Sequence, residues 1–173
     1  MVYTIRNVKA EDLDQVTEVE ALCFPAAEAA TGESFRKRIE TFPESFLVAE
    51  DESGKIIGFI NGCVTDERTI RDEMFEDSGL HRADGRYQSI FGLDVIPEYR
   101  RQGVAADLMN HLIQTAKARE KKGMILTCKD RLIHYYEKFG YRNLGISGSV
   151  PGGAVGSDLL MAFYKQRHLL PLT

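Results

Sequence analysis

The chain has 173 residues, of which 43% are hydrophobic and 28% charged, a composition that excludes intrinsic disorder and fits one globular domain. No stretch approaches the roughly 20 apolar residues that a membrane span needs, and no basic region followed by a long apolar run marks a secretory signal. Cys23, Cys63 and Cys128 show no metal-ligand spacing, which predicts reduced thiols in a cytoplasmic protein without a metal site.

The net charge of −4 is unevenly distributed along the chain. Residues 1–96 carry 20 acidic and 10 basic side chains, whereas residues 97–142 carry 10 basic and 5 acidic ones. The basic segment therefore suits an anionic ligand, and the acidic segment suits a cationic one, unless solvated helix faces account for most of the charge. A nucleic-acid partner is not expected, because the basic residues lack interleaved aromatic residues and the whole chain is acidic.

The N-terminal half predicts alternating strands and two amphipathic helices. Leu13, Val16 and Val19 recur at helical spacing in the first helix, and Pro25 and Pro43 end the two helices. The predicted elements are a strand at 2–6, a helix at 10–24, a loop at 25–33, a helix at 34–41, a strand at 46–50, a glycine-containing turn at 51–55 and a strand at 56–64.

The C-terminal half predicts a strand–helix–strand unit. Residues 65–86 are irregular, with one helical turn near 70–75, and Pro97 stops the long strand that follows. The later elements are a strand at 87–96, a helix at 104–119, a strand at 124–128, a helix at 131–139, a strand from 141, a glycine-rich loop at 145–156 and a strand at 158–164. The glycine-rich loop suits either a flexible hairpin or a lid on the substrate side. The element order predicts a mixed α/β (α+β) single domain spanning residues 1–173, with a core at 2–164.

A basic turn with small residues lies between the long strand and the long helix. It reads Arg100-Arg101-Gln102-Gly103-Val104-Ala105-Ala106, after Leu93-Asp94-Val95-Ile96-Pro97. A helix N-terminus with small residues binds phosphate through its unpaired backbone N–H groups, although small residues also allow a helix to pack tightly on a sheet. Neither the Rossmann glycine motif nor the P-loop motif occurs, which argues against those nucleotide sites.

Two segments of the chain resemble signature motifs of one enzyme family. The turn at 100–105 resembles the R/Q-x-x-G-x-G/A signature of the GNAT acetyltransferase superfamily, and Tyr135-Tyr136-Glu137-Lys138-Phe139-Gly140-Tyr141 resembles its Y-E-K-x-G-F helix end. The motifs stand in the family's order, and the element order is similar over residues 2–164. Within the superfamily the resemblance is greatest to arylalkylamine (serotonin-type) N-acetyltransferases, which Cys128-Lys129-Asp130 and the Glu67-Arg68 region also resemble.

The resemblance implies a fold and a cosubstrate site. The implied fold is a mixed, mostly antiparallel sheet of about seven strands, flanked by about four helices and splayed between strands 4 and 5. The implied cosubstrate is acetyl-CoA, with its pyrophosphate on the turn, its pantetheine arm paired along the fourth strand, and its thioester carbonyl polarised by the amide of Leu93 or Asp94. The implied binding residues are Leu93, Asp94, Val95, Arg100, Arg101, Gln102, Gly103, Val104, Ala105 and Ala106.

The resemblance also implies direct attack of a primary amine on the thioester in a ternary complex. Tyr136 corresponds to the family's tyrosine, which protonates the leaving thiolate; without the resemblance it would be read as a packed aromatic residue. The two histidines on the fourth strand of the serotonin-type enzymes correspond here to Ser89 and Phe91, so this chain lacks that pair. The candidates for the base are Glu28, Asp94 or a water chain held by Ser89.

The acceptor is left open among a small amine, an arylalkylamine and a polyamine. Two other functions are kept: an acyl-CoA-binding regulatory module without catalysis, and acetylation of a protein or peptide amine, which the acidic N-terminal half would also attract. No membrane partner is expected, and the sequence does not decide between a monomer and a homodimer.

Overall fold

A computed structural model of the protein describes residues 2–148 and 155–164. The strands are β1 (Tyr3–Asn7), β2 (Phe46–Asp51), β3 (Ile56–Asn61), β4 (Val64–Thr65), β5 (Tyr87–Ile90), β6 (Gly92–Val95), β7 (Gly123–Cys128), β8 (Arg142–Ile146) and β9 (Ser157–Ala162). The helices are α1 (Leu13–Cys23), α2 (Gly32–Thr41), α3 (Asp72–Glu76), α4 (Val104–Ala118) and α5 (Ile133–Glu137). The mixed α/β class predicted from the sequence is confirmed.

The strands form two sheets, one of order β1-β2-β3-β6 and one of order β4-β5-β7-β9-β8. The first sheet is antiparallel throughout, and in the second only β5 and β7 run parallel, joined through α4. β5 pairs with β7 as far as Ile90 and Leu126, after which β6 turns away to pair with β3. The predicted splay is therefore present, between β6 and the end of β7.

The predicted strands at 56–64 and 87–96 are each divided into two, which is a correction to the sequence analysis. The first becomes β3 and β4, and the second becomes β5 and β6, so that each passes from one sheet to the other. Gly62 lies at the crossing, and a Cβ there would stand 2.0 Å from the Ser89 carbonyl oxygen. Buried residues continue through both breaks, so the apolar pattern alone does not reveal them.

Helices cover both faces of the first sheet. The side chain of Val95 on β6 lies on the face of the sheet that α4 covers. A Cβ built on Gly58 would stand 3.3 Å from Val95 and 3.4 Å from Leu108 of α4. Side chains alternate along a strand, so Asp94 points to the opposite face, where α1 and α2 pack. An aromatic cluster of Phe35, Phe46 and Phe59, with ring centroids 5.5–6.1 Å apart, fills the core beneath α2.

Other predicted features are found with small shifts of boundary. The turn at 51–55 holds Gly54 at φ +88°, and all three cysteines are free thiols. β8 extends to Ile146, into the predicted glycine-rich loop, of which residues 149–154 lie outside the described residues. Within the described part of the chain, the helices are too short or too polar to cross a bilayer.

The crossing at Gly62 provides a test of the fold. We expect Gly62→Ala to lower the free energy of unfolding by about 1–3 kcal/mol, the usual cost of forcing extra volume into a packed interior. Gly148→Ala is the control, because a Cβ at Gly148 meets nothing within 4 Å. Urea unfolding of both variants measures the difference, and equal stabilities would contradict the close approach of the two strands.

Candidate active site

The turn before α4 has the backbone geometry of an anion site. Gly103 caps the helix at φ +85°, a left-handed conformation that favours glycine, and a Cβ built on it would meet nothing within 4 Å. The first helical hydrogen bond runs from the Asp107 N–H to the Gly103 carbonyl at 3.0 Å. The amides of residues 104–106 precede that bond and so have no acceptor within the helix, and they lie at the positive end of its dipole.

The polar side chains of this turn do not all face outward. Arg100 donates from Nε to the Val95 carbonyl at 3.0 Å and approaches the Cys23 sulfur with Nη2 at 3.6 Å. Gln102 donates from Nε2 to the Glu98 carbonyl at 3.1 Å. Arg100 and Gln102 therefore hold the shape of the turn, whereas Arg101, at φ +61°, is exposed.

β6 has an open edge facing the splay. Among the strands that the structure describes, it is the last of its sheet and pairs with β3 alone. The Ile96 N–H donates to the Ile57 carbonyl, and amides alternate in direction along an antiparallel ladder. The amide of Asp94 therefore faces β3, while the amides of Leu93 and Val95 face the open edge. An extended ligand could pair along that edge as a further strand.

Tyr136 approaches the splay from α5. Its ring lies against Tyr135 and Tyr141, with centroids 5.1 and 6.0 Å away. Burial raises the pKa of Tyr136 well above its usual range, and the charges of Tyr135, Cys128 and Asp94 raise it further. The phenol therefore stays protonated over the physiological pH range, within reach of the charges of groups on both β6 and β7.

The two other predicted catalytic residues lie in different settings. Ser89 is fully buried in β5 and donates its hydroxyl to the Cys63 carbonyl at 2.8 Å. Glu28 lies in the loop after α1, where both of its carboxylate oxygens accept from Lys129 Nζ, at 2.8 and 3.1 Å. The Phe91 ring packs against the Phe75 ring, with centroids 4.9 Å apart.

A buried polar cluster, formed by Glu20, Arg38, Asn61 and Asp94, lies on the α1/α2 face of the first sheet. These side chains are 1–7% exposed. Arg38 donates to Asn61 Oδ1 at 3.0 Å and to the Phe75 carbonyl at 2.8 Å. Sequence analysis proposed Asp94 but missed its three companions. The available signal was Glu20, a carboxylate that falls on the apolar stripe of α1.

Within this cluster, the pKa values of Asp94 and Arg38 are shifted in opposite directions. Burial raises the pKa of Asp94 well above its usual range, helped by the neighbouring carboxyl group of Glu20 and by the charge of Cys23, while Arg38 opposes the rise. Burial lowers the pKa of Arg38 to about 10, although the charges of Glu20, Cys63 and Asp94 resist this change. Arg38 thus stays cationic at neutral pH and is the charge that balances the carboxyl groups.

The described residues also lack any group of three His, Cys, Asp or Glu side chains placed to hold a metal ion. The chemistry available here is therefore that of a backbone anion site, an open strand edge, a protonated phenol and a buried carboxyl group.

Comparison with known proteins identifies the family. The model of the family described as acetyltransferase (GNAT) matches residues 13–141, most of the chain. The chain belongs to the acetyltransferase (GNAT) family. This membership agrees with the resemblance found at the turn and at α5.

Two curated relatives match this GNAT chain in part. Serotonin N-acetyltransferase of Mesocricetus auratus is 30% identical over 95 residues, which cover 54% of this chain and 44% of that protein. The Bacillus subtilis protein named probable hydrolase YhcX is 29% identical over 141 residues, 76% of this chain and 27% of that protein. The chain therefore spans less than half the length of either relative.

A solved structure supports the fold. The loading GNATL domain of CurA from Lyngbya majuscula superposes with a TM-score of 0.82, covering 94% of this chain and 98% of that one at 18% identity. The architecture of the two domains is thus the same over nearly the whole chain.

The role of Arg38 can be tested by its removal. We expect Arg38→Ala to lower the free energy of unfolding by about 3 kcal/mol or more, because it leaves buried carboxyl groups without their counter-ion. Arg36→Ala on the same helix removes an exposed arginine paired with Glu33 and Glu40, and should lower the stability far less, because solvent screens both exposed pairs. Urea unfolding at pH 7 measures both, and similar losses would contradict the role given to Arg38.

Proposed function

We propose that this GNAT domain transfers the acetyl group of acetyl-CoA to a primary amine by direct attack in a ternary complex. The observation that carries the proposal is the left-handed turn at Gly103, which opens α4 beside the unpaired edge of β6. A diphosphate and an extended thiol arm need these two features side by side, and we assign protonation of the leaving thiolate to Tyr136, which lies within range of the charges of Asp94 on β6 and Cys128 on β7.

In the proposed complex, the pyrophosphate accepts hydrogen bonds from the amides of residues 101–106. The pantetheine arm pairs along Leu93–Val95, the part of the strand whose outward amides are unused by β3. Of the two amides considered for the thioester, that of Leu93 faces the open edge and that of Asp94 does not, so we assign the polarising role to Leu93. A preorganised donor there stabilises the oxyanion that forms during attack.

Proton transfer completes the proposed reaction. An alkyl ammonium must first lose a proton, since its pKa is near that of lysine, about 10.4. The amine nitrogen then attacks the thioester carbon, the C–S bond breaks, and Tyr136 gives its hydroxyl proton to the departing sulfur. The second proton released by nitrogen as the amide forms restores the phenol through solvent.

The acceptor is the least constrained part of the proposal. The acidic half of the chain favours a cation, in the form of a small amine, an arylalkylamine or a polyamine. Similarity to a serotonin N-acetyltransferase supports the second of these. A basic peptide amine would be attracted by the same charges. We propose a cytoplasmic location on the basis of the three unpaired thiols.

Substitution of the phenol tests the catalytic assignment. We expect Tyr136→Phe to lower kcat about 100-fold, the lower range for loss of a general acid, with little change in acetyl-CoA affinity. Thiol release with a panel of amines measures turnover, and calorimetry measures binding. Tyr135→Phe is the control, since it removes a neighbouring hydroxyl. If wild type binds acetyl-CoA but acetylates no amine, the chain is a binding module; if Tyr136→Phe is fully active, another group supplies the proton.

Substitution of the capping glycine tests the anion site. Gly103→Ala forces a Cβ into the left-handed region, at a cost of about 1–2 kcal/mol, and places it where the pyrophosphate would approach. We expect acetyl-CoA affinity to fall about tenfold or more, an effect of about 1.4 kcal/mol or more on binding. Gly145→Ala is a matched control, because Gly145 also has a positive φ (+114°) and open space around a Cβ but lies on β8. Equal affinities for the two variants would place the diphosphate elsewhere.

A further inference from the structure

Three polar groups of the buried polar cluster converge above Gly92, immediately after the break between β5 and β6. A Cβ built on Gly92 would lie 3.2 Å from Asp94 Oδ1, 3.7 Å from Asn61 Nδ2 and 3.9 Å from Glu20 Oε1. These groups belong to β6, β3 and α1. Because Gly92 has no side chain, the space between these three polar groups is left open. Gly92 itself is half-buried, whereas Asp94 is 1% exposed.

The hydrogen-bond inventory of this cluster indicates a shared proton. Glu20 Oε2 accepts from the Ala30 N–H at 2.8 Å, but neither oxygen of Asp94 has an N–H or O–H donor among the described residues. Arg38 donates to Asn61 Oδ1, which fixes the amide so that Nδ2 faces the cluster. Two ionised carboxylates side by side in this interior would repel each other, and a proton between Glu20 and Asp94 relieves both that repulsion and the missing donor.

We propose that Asp94 is the proton acceptor for the amine substrate and that Glu20 is the positioning residue that controls whether Asp94 carries a proton. This inference rests on the proposed acetyl transfer. It assigns the base that the histidine-free fourth strand leaves open.

The location of Asp94 suits that role better than the alternatives. Its neighbour Leu93 supplies the outward amide proposed to polarise the thioester, so the carboxyl group belongs to the same short strand as the amide that would bind the reacting carbonyl. Tyr136 lies within range of its charge from the other side of the splay. Ser89 already donates to a backbone carbonyl, and the oxygens of Glu28 are held by Lys129.

The proton balance of the step is simple. The ionised Asp94 carboxylate takes a proton from the ammonium group, and the N–H electron pair stays on nitrogen as the attacking lone pair. The carboxyl pair thereby regains its shared proton, which it must release to solvent before the next turnover. One proton per cycle leaves the enzyme, as the conversion of an ammonium ion and a thioester into an amide and a thiol requires.

The pH dependence follows from the groups that face Asp94. Glu20 and Cys23 on α1 and burial hold the proton on Asp94, Arg38 on α2 favours its loss, and Tyr136 on α5 stays protonated. Activity requires ionised Asp94, so kcat/KM rises as pH rises through the raised pKa of Asp94. The acid limb of the profile therefore lies above the ordinary aspartate range, which is centred near about 3.9.

The test is a set of kcat/KM pH profiles with one amine substrate. Glu20→Gln removes a charge that raises the pKa of Asp94, so the acid limb of this variant's profile should move to lower pH. Glu18→Gln is the control, since it makes the same chemical change at an exposed position of α1 and should leave the limb in place. Asp94→Asn should lose the limb and at least 100-fold in kcat, with acetyl-CoA affinity retained in calorimetry.

Thermal unfolding separates this role from a structural one. Asp94 binds its proton more tightly in the folded than in the unfolded chain, so its ionisation destabilises the fold increasingly as pH rises from the ordinary to the raised pKa. Asp94→Asn should thus have a higher Tm than wild type at pH 8, and that advantage should shrink as pH falls toward 4. A variant that is more stable yet inactive supports the proton-acceptor role.

Two results would overturn the inference, and they differ in what else they affect. If wild type acetylates amines while Asp94→Asn keeps its activity, or Glu20→Gln leaves the acid limb unmoved, the inference fails and the proposed function stands. If wild type binds acetyl-CoA but acetylates no amine at any pH, the proposed function fails and the inference falls with it.

Discussion

The close approach of Gly62 to the Ser89 carbonyl is the constraint on which the rest of the molecule depends. Because there is no side chain at that point, two long antiparallel segments cross and change sheets at the same level. β6 then turns away from β7, so among the described strands one edge of β6 has no partner. A sheet edge with unused amides is usually a hazard for aggregation, and here it lies beside the turn that opens α4. The crossing therefore produces the opening between the two sheets.

The buried polar cluster on the α1/α2 face lowers the stability of the fold. An arginine, an asparagine and two carboxyl groups occupy positions where apolar side chains would pack more favourably. Replacement of such groups by well-packed hydrophobic residues is commonly neutral or stabilising, so their presence next to the strand break is better explained by a chemical role than by stability. The aromatic rings of Phe35 and Phe91 around Arg38, at 5.4 and 4.8 Å, limit the loss of solvation.

Much of the fold follows from sequence periodicity. The apolar stripe of α4 and the alternation of β1 place those elements within one residue, and the prolines after the first two helices place the ends of those helices equally well, although α1 begins three residues later than predicted. The division of the two long strands is not predictable in this way, because it depends on a backbone approach between residues 27 positions apart, Gly62 and Ser89. Local pattern carries no information about such a contact.

The residues of the candidate site also fall into two groups, those that local motifs predict and those that long-range contacts bring together. The turn at Gly103 and the phenol of Tyr136 are found from motifs, because their residue types and spacing are local. The partnership of Asp94 with Glu20 is not, since it joins β6 to α1 across the face of a sheet. The sequence indicates Ser89 by its position on the strand, yet its hydroxyl donates to the carbonyl of Cys63, which lies in the break between β3 and β4 that the sequence pattern does not reveal.

The ion pair between Glu28 and Lys129 links the loop after α1 to the loop after β7, on the two sides of the splay. Lys129 is 40% exposed, so water and salt weaken the attraction, and separating such partners costs no more than about 1 kcal/mol. Thermal motion alone can break and remake a link of that strength. The two loops are thus held close together without being locked, and the distance between them becomes sensitive to ionic strength.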